Sequence, residues 1–191
     1  MLATFQALLK IASIDSGLLR EAFQPIDLIP LISDAADFME PLAEARRQTL
    51  NVVLPEQAMV LGHRDLLFQL LINLLDNAVK YGTENSDWIG VAAHKVAHAN
   101  GDTVEVRISD RGPGIPKEEQ SEIFNPFFRG RRAQQDQIHG TGLGLNLVKK
   151  IIEAHGGSIR VESEPGHGTS FILRIPAAPA ELQDEFANTA G

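Results

Sequence analysis

Residues 110–145 have the sequence DRGPGIPKEEQSEIFNPFFRGRRAQQDQIHGTGLGL, in which two glycine-rich turns bracket a polar loop. The first turn is DRGPG at 110–114 and the second is GTGLG at 140–144. Glycine lets the backbone approach a ligand closely or take a positive φ angle. Backbone N–H groups that point into such turns bind anions. The stretch therefore predicts a site for a phosphate-bearing ligand beneath a movable cover.

The composition is that of a globular protein outside the membrane. The chain has 191 residues, of which 43% are hydrophobic and 22% charged, and no segment approaches the roughly 18 unbroken apolar residues of a membrane helix. Its first residues lack the basic start and small-residue cleavage site of a secretory signal. We therefore expect no membrane span in this chain.

Charge and cysteine content exclude further classes of function. The net charge of −8 argues against general nucleic-acid binding, for which basic surfaces supply most of the affinity. With no cysteine the chain has neither a disulfide nor a thiolate metal site, which fits a reducing cytosol. The expected location is cytoplasmic, either as a free protein or as the cytoplasmic part of a membrane-anchored receptor.

Apolar spacing predicts the elements that precede the glycine turns. Residues 2–19 have a helical period, typical either of a helix packed on its own domain or of the end of a dimerising coiled-coil or bundle helix. FQPI at 23–26 interrupts this period and marks a domain boundary. Asp27 is the expected N-cap of a helix that runs to about Gln48, with Pro30 in its first turn. Residues 50–54 and 58–61 then indicate a pair of strands.

A long helix is predicted over residues 63–81, with an unusual polar border. Its apolar face consists of Leu67, Leu70, Leu71, Leu74, Leu75 and Ala78. Asn73, Asn77 and Lys80 line the edge of that face. Asparagine is disfavoured within helices because its amide competes with backbone hydrogen bonds. Two asparagines four residues apart therefore indicate either hydrogen bonds to a neighbouring loop or a polar site, and the residues alone leave both open.

The remaining elements follow from the same patterns. Residues 88–97 and 103–109 are predicted to form paired strands, so that Asp110 follows the second strand directly. Further predicted elements are a short helix over 117–123, a helix over 142–155 that buries Leu147, Val148, Ile151 and Ile152 and stops at Gly156, and a hairpin of strands 158–162 and 169–175. Strands followed by helices without regular alternation favour a sheet covered by helices on one face.

Two common nucleotide-binding motifs do not fit the second glycine turn. GTGLG at 140–144 has neither the spacing of a dinucleotide fingerprint nor the Lys-Ser/Thr ending of a P-loop. Four motifs in one order are more informative: NLLDNAVKY at 73–81, DRGPGIP at 110–116, FNPFF at 124–128 and GTGLGL at 140–145. Together they resemble the N, G1, F and G2 boxes of sensor histidine kinases, which belong to the Bergerat ATPase superfamily.

The resemblance covers residues 27–176 and implies a domain organisation. LKIASIDSG at 9–17 is similar to the end of the dimerisation and phosphotransfer helix in that family. The implied domains are the C-terminal part of that helix at 1–22, an ATP-binding catalytic domain at 23–176 and a disordered tail at 177–191. The implied fold is α+β, a two-layer α/β sandwich with a mixed, mostly antiparallel sheet and helices on one face.

The resemblance also implies ATP and Mg²⁺ as ligands. Asn77 would coordinate Mg²⁺ through its amide oxygen and act with Lys80 as the catalytic pair, and Asp110 would accept a hydrogen bond from the adenine amino group. The full set of implied nucleotide-binding residues is Asn73, Asn77, Lys80, Tyr81, Asp110, Gly112, Gly114, Ile115, Phe128, Arg129, Gly140, Thr141, Gly142, Leu143, Gly144, Leu145 and Thr169.

The aromatic and basic residues of the polar loop each have two interpretations. The resemblance implies that Phe124, Phe127 and Phe128 anchor the cover by burying their rings, whereas the phenylalanines taken alone favour simple core packing. The arginines Arg129, Arg131 and Arg132 either contact phosphate or only solvate the loop. Residues 121–139 are expected to become ordered with nucleotide.

One position within the long helix separates hydrolases from transferases. Hydrolysing members of the superfamily have a glutamate one turn before the Mg²⁺ asparagine, whereas this chain has Asn73 there. Because an amide cannot act as a general base, slow hydrolysis and transfer to another nucleophile are expected.

The chain departs from the family pattern in lacking a phosphoacceptor. None of its six histidines is followed by the acidic residue and proline of the family's acceptor motif, and all six are interpreted as structural. Either the chain is a fragment that begins inside the second dimerisation helix, or the acceptor lies on another polypeptide. In both cases the acceptor is expected on a dimerisation and phosphotransfer domain that these 191 residues do not include. Further expected partners are a response regulator receiver domain and, in the full-length protein, a second copy.

Two other classes of function stay open at this point. A non-enzymatic nucleotide-sensing or dimerisation module would need no phosphate transfer. A serine kinase or ATPase of the same superfamily would use the same nucleotide site with a different acceptor.

Overall fold

The computed structural model describes residues 9, 11–14, 22–82, 87–99, 101–131 and 140–182. The elements lie along the chain in the order β1 Gln24–Asp27, α1 Leu28–Glu44, β2 Thr49–Val53, β3 Met59–Gly62, α2 Arg64–Tyr81, β4 Trp88–Val96, β5 Thr103–Asp110, α3 Gly144–Ala154, β6 Ser158–Glu164 and β7 Gly168–Pro176. Residues 11–14 are also helical. None of the helices within these ranges is long and apolar enough to cross a membrane.

Five strands form the main sheet in the order β2-β4-β5-β7-β6. β2 is parallel to β4, and the other neighbouring pairs are antiparallel. β1 and β3 pair in a separate two-stranded antiparallel sheet. Strands β4, β5 and β7 bury alternate side chains in a cluster shared with the three helices, while their opposite face has the charged residues Glu105, Arg107 and Arg174. This is the predicted α+β fold, with a mixed, mostly antiparallel sheet and its helices on one face.

The predicted N-cap of α1 is confirmed. Oδ1 of Asp27 accepts hydrogen bonds from the backbone N–H of Ile29 at 3.1 Å and of Ala58 at 3.0 Å. The helix ends at Glu44 rather than near Gln48, because Arg47 has a φ of 60° and turns the chain back. The N–H of Gln48 then bonds to the carbonyl of Ala43. A left-handed residue of this kind is the usual way a helix terminates.

Three local predictions for the chain before and after α2 need correction. FQPI at 23–26 was expected only as a break, but residues 24–27 form β1. The predicted strands at 50–54 and 58–61 both exist, yet they lie in different sheets rather than side by side. Residues 117–123 form successive turns instead of a short helix. Seven residues are too few to stabilise a helix alone, and the side chain of Gln120 bonds to the backbone of other segments instead.

The two long helices next to the glycine turns follow the prediction closely. α2 begins one residue after the predicted start and buries all six of the apolar residues assigned to its inner face. α3 buries Leu147, Val148, Ile151 and Ile152 as predicted, and Gly156 ends it with a φ of 70°. α3 begins at Gly144 rather than at 142, because Gly142 has a φ of 71° outside the right-handed helical region.

Two of the histidines have the structural role expected of them. The ring of His155 is buried, its Nε2 accepts the N–H of His63 at 3.0 Å, and its Nδ1 donates to the carbonyl of Ile151 at 2.7 Å. Burial lowers the pKa of His155, which keeps the ring neutral in this arrangement. The ring also stacks on Phe23 with centroids 4.5 Å apart, so it joins the residues before β1 to the ends of α2 and α3.

The stretch predicted as a tail is partly described. Ala177 forms an isolated bridge with Val60, and Ala178 is buried. Residues 183–191 lie outside the described residues, as does most of the predicted 1–22 segment, within which Ile14 is buried against the core.

Candidate nucleotide-binding site

Asp110 lies at the end of β5 and is only 8% exposed. Its Oδ1 accepts a hydrogen bond from the N–H of Gly112 at 2.7 Å, and the backbone N–H of Thr169 on β7 also donates to its carboxylate. Burial raises the pKa of Asp110 to about 6, and the two N–H groups oppose this rise. The site therefore contains a desolvated carboxylate, which is a strong acceptor for a ligand N–H group.

The first glycine turn fits between α2 and the β6–β7 hairpin. A Cβ atom on Gly112 would overlap the carbonyl oxygen of Tyr81 at the end of α2. A Cβ atom on Gly114, which has a φ of 72°, would overlap the carbonyl oxygen of Glu164. Glycine is required at both positions because the backbone is in direct contact with its neighbours. Ile115 follows, and its N–H donates to Oγ of Ser163 at 2.8 Å.

The polar border of α2 faces the start of α3. Nδ2 of Asn73 donates to the carbonyl of Gln69 at 2.9 Å, so its Oδ1 is left as the outward acceptor. A Cβ atom on Gly144 would lie 3.2 Å from that oxygen, which shows how closely the two helices approach here. Asn77 is half-buried one turn further along α2. The structure thus brings the first and last of the predicted motifs into contact.

Lys80 is paired within its own helix. Its Nζ lies 2.5 Å from Oδ2 of Asp76, and both side chains are about one-third exposed, at 32% and 30%. The last carbonyls of α2 are bonded by Arg46, whose Nη1 lies 3.2 Å from the carbonyl oxygen of Val79. A cation at a helix C-terminus is favourable and fixes the final turn, where Tyr81 lies.

The second glycine turn presents the uncapped start of α3. Gly142 accepts the N–H of Phe127 at 2.9 Å, and a Cβ atom on Gly142 would lie 2.7 Å from the carbonyl carbon of Phe127. Leu143 is the N-cap residue of α3, and its side chain makes no capping hydrogen bond. Its own N–H lies 3.3 Å from Oγ1 of Thr141. Free N–H groups and the helix dipole at such an end favour an anion.

The three phenylalanines of the aromatic motif differ in burial. The ring of Phe124 packs edge-on against Phe171 with centroids 6.4 Å apart, and Phe128 is half-buried against the core. Phe127 is 59% exposed, so the expectation that all three rings are buried is wrong. Its φ of 64° and its hydrogen bond to Gly142 direct this residue away from the core.

The basic loop is described only in part. Burial raises the pKa of the Tyr81 phenol, while the positive charge of Arg129 nearby lowers it, so the two side chains are close enough to interact. Arg131 has an 84% exposed side chain 3.8 Å from Glu119. Gly140 is exposed. Residues 132–139 lie outside the described residues, and with them Arg132 and most of the predicted cover.

Ser163 and Gly168 complete the wall beside Asp110, and the sequence motifs did not identify either residue as part of the site. Gly168 has a φ of 91°, and a Cβ atom on it would overlap the carbonyl oxygen of Asp110. Ser163 lies opposite Thr169 in the β6–β7 pairing. The hairpin predicted through 165–168 could have revealed this register, because the residues that flank a short turn face each other across it.

Comparison with known proteins agrees with this geometry. A sequence profile described as "Histidine kinase-, DNA gyrase B-, and HSP90-like ATPase" matches residues 62–179. The chain belongs to this ATPase family. The matched residues contain all four predicted motifs, so the resemblance inferred from them is confirmed.

Individual relatives of this ATPase domain are sensor kinases. The chain is 34% identical over 154 residues to the sensor-like histidine kinase SenX3 of Mycolicibacterium smegmatis. This match covers 81% of the chain and 39% of SenX3. The catalytic domain of the histidine kinase ThkA has a similar structure, with a TM-score of 0.69 and 32% identity, over 81% of this chain and 95% of that domain. Full-length ShkA in complex with AMPPNP matches with a TM-score of 0.76 and 28% identity, over 91% of this chain and 35% of ShkA. The chain thus spans about two fifths of SenX3.

Proposed function

We propose that this ATPase domain binds Mg-ATP and donates the γ-phosphate to a histidine of a dimerisation and phosphotransfer domain, from which it passes to a response regulator. The observation that supports this most strongly is the meeting of a buried carboxylate, two crowded glycine turns and an asparagine-lined helix at one end of the sheet. ThkA and SenX3, to which the domain is similar, are both described as histidine kinases.

The base would bind beside Asp110. When ionised, its buried carboxylate can accept hydrogen bonds but cannot donate them, which suits an exocyclic amino group as the partner. Gly112 and Gly114 let the backbone pass close to a flat ring, and Tyr81 closes the same side from the end of α2. Ile115 and Phe128 would supply apolar contact.

The phosphates would bind between α2 and α3. The N–H groups of residues 142–145 at the uncapped start of α3 would donate to phosphate oxygens, and Lys80 would exchange its bond to Asp76 for one to phosphate. ShkA, to which the chain is similar, is described in complex with AMPPNP, which supports a nucleoside triphosphate as the ligand.

A single protein oxygen is compatible with Mg²⁺ at this site. Among the described residues, no cluster of three His, Cys, Asp or Glu side chains could hold a metal ion. Mg²⁺ in nucleotide sites keeps several waters and binds one or two protein oxygens together with the phosphates, so the amide oxygen of Asn77 would suffice. When bound, the ion would neutralise charge on the phosphates.

Transfer rather than hydrolysis is the reaction that these residues favour. The position one turn before Asn77 is occupied by Asn73, whose amide donates to its own helix and cannot remove a proton from water. In phosphoryl transfer the protein contributes mainly positioning and charge neutralisation, so an incoming imidazole can serve as the nucleophile.

Titration of the 191-residue chain with a fluorescent ATP analogue, with and without Mg²⁺, tests the proposed nucleotide site. We expect saturable binding that ATP competes away and that Mg²⁺ strengthens, together with slow phosphate release. Absence of saturable binding at micromolar protein would favour a non-enzymatic module. Rapid, acceptor-independent release of phosphate would indicate an ATPase instead.

A further inference from the structure

Three residues on neighbouring strands form a row across the sheet, at the end of the site where the nucleotide base would bind. Asp110 on β5 pairs with Thr169 on β7, and Thr169 pairs with Ser163 on β6. Side chains directly opposite each other on antiparallel strands point to the same face of the sheet. The carboxylate of Asp110 and the hydroxyls of Thr169 and Ser163 therefore lie on one face, and both Asp110 and Thr169 are less than one-tenth exposed.

Oγ of Ser163 has three hydrogen-bond partners. The N–H of Ile115 donates to it at 2.8 Å, it donates to the carbonyl of Gly168 at 2.8 Å, and Oγ1 of Thr169 lies 2.9 Å away. A serine hydroxyl has one proton and two lone pairs. All three contacts are satisfied together only if the Ser163 proton goes to Gly168, and if both Ile115 and Thr169 donate to Ser163.

This assignment fixes the direction of the Thr169 hydroxyl. Its proton points at Ser163, so only its lone pairs are available on the side of Asp110. The neighbouring backbone holds the arrangement rigid, because Gln120 donates through Nε2 to the carbonyls of Ile115 and Ser163, each at 2.9 Å. The backbone of Gly168 lies directly against that of Asp110, because a Cβ atom on Gly168 would overlap the carbonyl oxygen of Asp110.

We infer that Ser163 is a specificity-determining positioning residue, which holds the Thr169 hydroxyl as a second hydrogen-bond acceptor beside Asp110. The part of the wall that Asp110 and Thr169 form with their side chains then presents acceptors to the base. It favours nucleotides whose base donates from an exocyclic amino group and rejects bases with a carbonyl oxygen at that position. The inference rests on the proposed nucleotide binding and extends it to the choice of base.

The measurement is the discrimination ratio, which is the Kd for ITP divided by the Kd for ATP. ITP has a carbonyl oxygen where ATP has the amino group. Ser163→Ala removes the partner of the Thr169 proton, so the hydroxyl can rotate and donate to that oxygen. We expect the ratio to fall by about two- to tenfold, the value of one hydrogen bond. Ser163→Thr, which keeps the hydroxyl, should restore the ratio of the parent protein.

A second variant shows whether Ser163 acts through Thr169. Thr169→Val removes the hydroxyl at nearly constant shape, and in that background Ser163→Ala should not change the ratio further. Should Ser163→Ala fail to fold, Ser163→Cys keeps a side chain of similar size with a weak acceptor and is expected to lower the ratio as well.

The outcomes separate this inference from the proposed function. If Ser163→Ala leaves the discrimination ratio unchanged, even while it weakens the binding of both ATP and ITP, the inference is overturned because the serine is then only structural. The inference is also overturned if Ser163→Ala lowers the discrimination ratio in the Thr169→Val background by as much as it does in the parent protein. If the parent chain binds neither nucleotide, the proposed function itself fails.

Discussion

At the scale of single residues, Asp110 is buried, although its proposed role requires an ionised carboxylate. Water would stabilise its carboxylate better than the site does, which is why its pKa is raised to about 6. A hydrogen bond from a ligand N–H group would stabilise the carboxylate in place of the water that burial excludes. Asp110 is thus a residue whose substitution should have opposite effects on binding and on stability.

The Asp110→Asn variant should lose nucleotide affinity. The amide keeps the shape but removes a charge-assisted hydrogen bond of about 1.5–3 kcal/mol, which corresponds to roughly 10–150-fold in the Kd for ATP. Calorimetric titration would measure the loss. Asp102→Asn is a matched control, because Asp102 is exposed. Unchanged ATP affinity in Asp110→Asn would refute the role in base binding.

The same variant should gain stability in a pH-dependent manner. The pKa of Asp110 is higher in the folded protein than the ordinary value of 3.8, so protonation stabilises the fold below pH 4 and this contribution is lost as the pH rises through about 6. Asp110→Asn has no such loss. At pH 8 it should exceed the parent in unfolding free energy by on the order of 3 kcal/mol, and near pH 4 most of this gain should be gone.

Urea unfolding of both proteins between pH 4 and pH 8 measures this difference. The comparison cancels His155, whose lowered pKa destabilises the fold as the pH falls below 6.5 in both proteins. A variant that is less stable than the parent at pH 8 would show that the two backbone N–H groups outweigh burial at Asp110.

Single residues also show the limit of sequence reasoning about the site. Asp110, Asn73, Gly112 and Gly114 were predicted from motifs, because each proposed role demands one residue type at one spacing. Ser163 was not predicted, since a serine near a strand end is common and its three partners come from three separate segments. The exposed ring of Phe127 was missed for a similar reason: a positive φ at a non-glycine residue has no signal in the sequence.

At the scale of elements, the start of α3 depends on the shape of the turn before it. Gly140→Ala, Gly142→Ala and Gly166→Ala form a graded series for this purpose. Among the described residues, nothing lies within 4 Å of a Cβ atom added to Gly140 or Gly166. Gly140 has no positive φ, Gly166 has a φ of 86°, and Gly142 has both a φ of 71° and a neighbour at 2.7 Å. We expect little change at 140, a cost of roughly 1–2 kcal/mol at 166 and a larger cost at 142.

Thermal unfolding ranks the three variants, and ATP titration separates them further. Only Gly142→Ala should also weaken ATP binding, because it moves the N–H groups at the start of α3. If Gly166→Ala weakens ATP as much as Gly142→Ala does, the second glycine turn has no special part in phosphate binding.

The polar border of α2 gives a second prediction at this scale. Asn77→Ala should abolish the strengthening of nucleotide binding by Mg²⁺ while leaving Mg²⁺-free binding nearly unchanged. Asn51→Ala, at an exposed position of β2, is the control. Titrations with and without Mg²⁺ decide the matter. Equal binding under the two conditions in both the parent and Asn77→Ala would contradict a metal role for Asn77.

Elements were the most predictable level of the fold. α2 and α3 were correct to within two residues at each end, because apolar periodicity and glycine stops act locally. β1 was missed, because a four-residue strand containing a proline is stable only through its pairing with β3. The turns of 117–123 were mistaken for a helix because the bonds of Gln120 to distant backbone are invisible in the sequence.

At the scale of the whole molecule, the order of the motifs along the chain differs from their arrangement in space. The first and fourth motifs meet where Asn73 contacts Gly144, and the second lies between α2 and the final hairpin. Sequence reasoning reached this arrangement only through resemblance to a family. The pairing of β2 with β4, parallel and across α2, could not be derived from local patterns, since non-local pairing depends on the shared core.

The reaction proposed for the whole molecule is transfer of the γ-phosphate from this domain to a histidine elsewhere. The direct measurement incubates the chain with γ-labelled ATP, Mg²⁺ and a separately supplied dimerisation and phosphotransfer domain, with a variant lacking the acceptor histidine as control. We predict acid-labile, base-stable label on the acceptor domain, absent from the control variant and lost with Asn77→Ala. Acid-stable label, or label that persists when the acceptor histidine is removed, would contradict it.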